Sequence, residues 1–154
     1  PASPNVILTQ LLARIFSRQP RVQAKSRGAA DDLLQRGYRL QQTGDTAAAE
    51  RSYREVLNFD ANSAEAHYLL GALLGERGDC AGAAVHLDRA LDLNPDFAAA
   101  HAARGNVFLM LESRQAAIAS FEHALRLDSG NAAAHFNVGL VHQSAGAREQ
   151  AMHH

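Results

Sequence analysis

Apolar residues recur along this chain with two periods at once. Within HYLLGALLGERGD (67–79) they fall at helical spacing and run into a polar turn. The stretch returns as HAARGNVFLMLES (101–113) and HFNVGLVHQSAGA (135–147), each 34 residues after the last. The short period predicts amphipathic helices, and the long one predicts a unit that is built, copied and stacked. Near the N-terminus Leu8, Leu11, Leu12 and Ile15 also keep helical spacing, so a short amphipathic helix is expected over 5–17. The stretch QPRVQAKSRG (19–28) that follows reads as a linker.

Glycine marks the long period most sharply. Gly37, Gly71, Gly105 and Gly139 stand 34 residues apart, each inside a helical stretch, where glycine costs roughly 1 kcal/mol against alanine. Repeating that cost implies a shared benefit, which is close approach of two backbones. Ala49, Ala83 and Ala117 follow at a fixed offset, then Tyr53, Leu87 and Phe121, then Leu57, Leu91 and Leu125. The small alanines are expected to receive the glycine contact from a second helix. The large residues are expected to fill the space between neighbouring helix pairs. One helix pair cannot cover its own apolar face, so the pairs should stack into a solenoid.

These positions resemble the tetratricopeptide repeat, with its 34-residue period and its W-x2-L-G-x2-Y…A-x3-F…P pattern. Pro95 supplies the proline of one unit, while Leu33, His67, His101 and His135 replace the aromatic residue, and Arg36 and Arg104 stand where leucine is usual. The resemblance implies an all-α solenoid of antiparallel helix pairs in a right-handed superhelix. It divides the chain into a basic helix and linker (1–29), repeats at 30–63, 64–97 and 98–131, and a partial fourth at 132–154.

Charge separates the two parts. Arg14, Arg18, Arg21, Lys25 and Arg27 give residues 1–30 a charge of +5 with no acid, and the other ten basic residues and all sixteen acids leave the remainder at −6. The whole chain is near neutral at −1, which argues against a nucleic-acid partner. The single cysteine, Cys80, rules out an internal disulfide and fits a reducing, cytoplasmic setting. No uninterrupted apolar stretch approaches the length of a membrane span.

Catalytic and metal chemistry find little support. GALLGERG (71–78) lacks the lysine and hydroxyl of a phosphate-binding loop, and Cys80 has no sequence neighbour suited to activate it. His67, His101 and His135 invite a metal reading, but equivalent positions on packed helices lie roughly 8–10 Å apart. Zinc nitrogens must come within about 2.1 Å of the ion. A structural role for the histidines is favoured, with no metal, no cofactor and no enzyme activity expected.

Function is therefore expected on a surface. In the family the exposed face of the first helices lines a concave groove that holds extended peptides. Helical phase places Gln35, Tyr38, Gln42, Glu65, Leu69, Glu76, Asn106, Met110, Asn137 and Leu140 there. Acids without lysine or arginine favour a neutral or basic protein segment over a terminal carboxylate. The resulting reading is a non-catalytic protein-interaction scaffold. Its alternative is the recognition arm of a larger enzyme, such as a glycosyltransferase or methyltransferase. Homo-oligomers are expected through the N-terminal helix or the incomplete last repeat, where Val138, Val141 and Met152 should be exposed. A membrane surface is the less favoured target of the N-terminal helix.

Overall fold

A computed structural model describes the backbone of residues 19–152 and the side chains of 28–143. Seven helices occupy this span, with no strand among the described residues. They are α1 (Gln19–Gln42), α2 (Thr46–Phe59), α3 (Ala64–Glu76), α4 (Cys80–Leu93), α5 (Ala98–Met110), α6 (Arg114–Leu127) and α7 (Ala132–Met152). Each packs against the next, and α3 also touches α5, so pairs α1–α2, α3–α4 and α5–α6 stack as a solenoid ahead of α7. The helix expected at 5–17 lies outside the described residues.

Short polar sequences set the helix ends. Gly44 and Gly78 adopt φ of +88° and +84°, a left-handed turn that glycine enters without penalty. The following Asp45 and Asp79 then cap α2 and α4, accepting from the amides of Ala48 and Gly82 at 3.0 and 2.9 Å. The third turn is the weaker copy. Glu112 takes the left-handed position at φ 55°, and Ser113 makes no capping bond.

Burial follows the repeat. Tyr53, Val56, Leu70, Leu73, Leu87 and Phe121 are fully buried. The nearest neighbours of the glycines revise the expected packing. A Cβ at Gly37 would meet Tyr53 at 2.5 Å, one at Gly71 would meet Leu87 at 2.8 Å, and one at Gly105 would meet Phe121 at 2.6 Å. The large residue of the second helix therefore sits on the glycine of its own pair. At Gly71 the Ala83 carbonyl also comes close, at 3.2 Å. Gly37, Gly71 and Gly105 are thus seats for a ring or a leucine, and at Gly71 the backbone of the second helix closes in as well.

Two further expectations are corrected. Residues 19–28 are no linker but the first turns of α1. Pro20 sits in the opening turn, where its missing N–H costs nothing, and one glycine at position 28 is too small a penalty to end a run of helix formers. The fourth unit shows no turn either, for α7 continues through 144–147 to Met152. Ala147 stands where Asp45, Asp79 and Ser113 stand in the earlier units, so no side-chain oxygen is available to start a second helix there. Val138 and Val141, expected to be exposed, are instead half-buried against the preceding pair and buried, respectively. The open side of α7 carries Phe136 and Leu140 instead, beside a Gly139 with nothing in its seat.

Candidate functional site

Three hollows run along one face of the solenoid. The first, about 380 Å³, lies between α1 and α3 and is lined by Leu34, Gln35, Tyr38, Arg39, Glu65 and Leu69. The second, about 440 Å³, shares Tyr38 and Leu69 with it and adds Gln41, Gln42, Tyr68 and Glu76. The third, about 370 Å³, shares Tyr68 and Glu76 with the second and continues along α5 over Ala99, Ala103, Asn106 and Met110. All lining residues come from α1, α3, α5, the start of α7 and Asn131 just before it. The hollows therefore join into one groove on the face of the first helices, floored largely by alanine at its α5 end.

Eight of the ten residues placed here by helical phase do line the groove: Gln35, Tyr38, Gln42, Glu65, Leu69, Glu76, Asn106 and Met110. Asn137 lines none of the three hollows but donates its amide to Asn106 Oδ1 at 2.8 Å. Leu140 is exposed on α7 away from them. Phase reasoning missed Tyr68, Gln41 and Arg39, which sit one helical turn from chosen residues. The groove stripe is wider than the wheel suggested. Arg39 also corrects the expectation that no cation lines it.

A hydrogen-bond chain ties this face to the core. The Tyr53 hydroxyl donates to Gln41 Oε1 at 3.0 Å, and Gln41 Nε2 donates to Glu76 Oε2 at 2.9 Å. Burial, then the negative charge of Glu76, pushes the Tyr53 phenol up to about 12. Tyr68 is raised by the same two causes in the same order. Both phenols stay protonated at neutral pH, and the Tyr53 hydroxyl serves as a donor.

The histidines are placed by the inter-repeat turns. His67 Nε2 donates to the Ala61 carbonyl at 3.2 Å, His101 to Pro95 at 2.8 Å and His135 to Ser129 at 3.1 Å, always six residues back. Each ring thus bridges its helix to the turn before it. The neighbours of two of them were not legible: His67 Nδ1 meets His86 Nδ1 at 2.9 Å, and His101 stacks on His123 with centroids 4.0 Å apart. Among the described residues no group of three or more histidine, cysteine or acidic side chains converges as a metal ion needs.

These rings make stability depend on pH. Burial, opposed by the Pro95 bond and aided by His123, Arg104 and Arg126, holds His101 below its ordinary value. Burial and then His67 and Arg54 do the same for His86, against Asp79 and Glu50. Lowered imidazoles bind protons better in the unfolded chain. Their contribution is complete above the unfolded value of about 6.5 and is lost as pH falls through the lowered folded values. The thermal midpoint should drop between pH 7 and 5. Replacing both rings, His86→Gln with His101→Gln, should flatten that part of the profile, and an unchanged slope would place the acid sensitivity elsewhere.

The tetratricopeptide repeat family model matches residues 73–132. That span begins within α3 and ends at the first residue of α7, and the solenoid extends the same geometry over the other pair. The chain is a tetratricopeptide repeat protein. Among solved structures, it is similar to an O-GlcNAc transferase mutant of Thermobaculum terrenum, with a TM-score of 0.70 and 34% identity over 75% of this chain. It spans only 22% of that enzyme. It is similar to MamA with a TM-score of 0.70 and 26% identity, over 86% of this chain and 77% of that one. The first repeat domain of Spaghetti (RPAP3), bound to an HSP90 peptide, shares the fold at a TM-score of 0.72 and 19% identity, over 77% of this chain and 94% of that one. No curated protein matches the chain. No described helix of this repeat protein is long and apolar enough to cross a membrane.

Proposed function

We propose that this repeat domain is a protein-interaction scaffold that holds an extended, neutral or basic peptide segment along the face of its first helices. The observation that carries the reading is the continuity of the three hollows, which share tyrosine, leucine and glutamate side chains and draw only on first helices and the α7 cap. An extended backbone needs donors and acceptors at intervals. The Asn137 to Asn106 bond occupies one donor and one acceptor, and leaves Asn106 Nδ2 and Asn137 Oδ1 to pair with a peptide group. Met110 offers apolar contact beside Asn106, and Tyr38 and Leu69 offer it farther along the groove. The repeat domain of RPAP3, which shares the fold, is bound to an HSP90 peptide, and that supports a peptide as the ligand class.

Selection of displayed random peptides on the purified domain tests this. Binders should be displaced by Leu69→Arg and by Met110→Glu, each weakening affinity by roughly tenfold or more, as for a central anchor. Arg51→Ala, on an exposed part of α2, should leave affinity unchanged. Binders indifferent to both groove changes would overturn the reading.

The 34% identity to a glycosyltransferase favours a second form of the same proposal, in which the groove presents protein substrates to an enzyme encoded with it. Reading the parent gene for a catalytic domain separates the two forms.

A further inference from the structure

The middle hollow contains two aromatic faces, two amides and a carboxylate held in place. We propose that it is a subsite for a basic side chain, an arginine or lysine of the bound segment, with Glu76 as the counter-charge and Tyr38 and Tyr68 as its walls. This rests on the groove reading above and names one residue class that the partner must carry.

The first support is the state of Glu76. Its Oε2 accepts from Gln41, which the Tyr53 hydroxyl anchors from inside the core. Gln41 is oriented by both bonds at once, since its oxygen takes the phenol and its nitrogen gives to the carboxylate. The exposed carboxylate is thereby positioned without being neutralised. Among the described residues no ion pair to Glu76 forms. Arg77, its neighbour in sequence, is committed to Glu50 on α2 at 2.5 Å, and Arg104 reaches Asp88 at 3.4 Å. An oriented acid in a hollow lined by no arginine or lysine, with its sequence neighbour Arg77 paired elsewhere, is built to receive a cation from outside.

The second support is the company it keeps. Tyr38, about half exposed, and the half-buried Tyr68 line the same hollow, and Glu76 lies near enough to raise the Tyr68 phenol. Ring faces attract a guanidinium or ammonium through their quadrupole, and an ordered carboxylate beside them adds direction. Gln42 and the ring hydroxyls supply acceptors for the remaining N–H groups of a guanidinium. The same set repels an acidic side chain, which no arginine or lysine in this hollow would offset.

Nuclear magnetic resonance titration of the labelled chain with Nα-acetyl-arginine methylamide tests the assignment. The neutral citrulline analogue is the control. The arginine probe should produce saturable shifts centred on Gln41, Tyr68 and Glu76, and bind roughly three- to thirtyfold better than citrulline at low salt, the range expected for a charge held over aromatic faces. Glu76→Gln should abolish that preference, Tyr68→Leu should reduce it, and Glu55→Gln, exposed on α2 outside the groove, should not change it. Equal binding of the two probes, or arginine shifts centred elsewhere, overturns the subsite. Either result leaves the groove reading standing, because peptide selection and the Leu69→Arg and Met110→Glu variants judge that separately. Selected peptides lacking a basic residue would also count against the subsite alone.

Discussion

Gly105→Leu is expected to destabilise the repeat domain by roughly 3 kcal/mol, the upper end of what overpacking a tight core costs. A Cβ added there would lie 2.6 Å from Phe121 Cε1 and 2.8 Å from Cδ1 and Cζ. The Phe121 ring is fully buried, so it has no free space to swing into. The better helix propensity of leucine returns only about 1 kcal/mol. Phe121→Ala alone should cost about 3–5 kcal/mol through its cavity. The double variant should cost less than the two together by roughly 1–3 kcal/mol, because the new leucine occupies the space the ring vacates. Gly139 is the control, since nothing lies within 4 Å of its seat and Gly139→Ala should stabilise by about 1 kcal/mol. Urea unfolding followed by circular dichroism reads all four. An unchanged midpoint in Gly105→Leu would mean that the ring does not seat on this glycine.

The period was legible because copied helix pairs need the same residue sizes at the same places. Gly71, Ala83 and Leu87 mean little alone, but their counterparts at a 34-residue offset make chance a poor explanation. What periodicity could not give was the pairing within a unit. Glycine and alanine look equally suited to close contact, and only the structure shows that the glycine receives the large residue. Boundaries were misread where punctuation was weak. Gly28 and Gly146 both resemble breaks, yet neither precedes a capping side chain as Gly44 and Gly78 do.

The groove was legible to the extent that it follows helical phase. Gln35, Tyr38, Leu69 and Asn106 share one face of their helices whatever packs behind them. Tyr68 and Gln41 did not fit that rule, because each is shared between the groove and the helix contact beneath it. The partner of Gln41 is Glu76, in the next repeat, and the anchor of Gln41 is Tyr53, in the second helix of its own pair. Neither distance is a multiple of the repeat. His86 and His123 escaped for a similar reason, since they stand at different offsets, 19 and 22 residues, from His67 and His101.

Tyr53 joins these two layers, and its removal should be felt in both. Tyr53→Ala empties a fully buried ring site above Gly37 and is expected to cost about 3–5 kcal/mol, with the loss concentrated in α1 and α2. Hydrogen exchange should show faster opening there than in α5 and α6, because each repeat contacts only its neighbours. Tyr53→Phe separates the ring from its hydroxyl. It keeps the packing on Gly37 but takes the donor from Gln41 Oε1, at a cost of about 1 kcal/mol. Gln41 can then turn, and Glu76 loses the bond that orients it. The phenylalanine variant should therefore melt close to the parent protein while discriminating arginine from citrulline less well. If it discriminates as before, the carboxylate is held by something other than this chain of bonds, and the core does not reach the groove through Gln41.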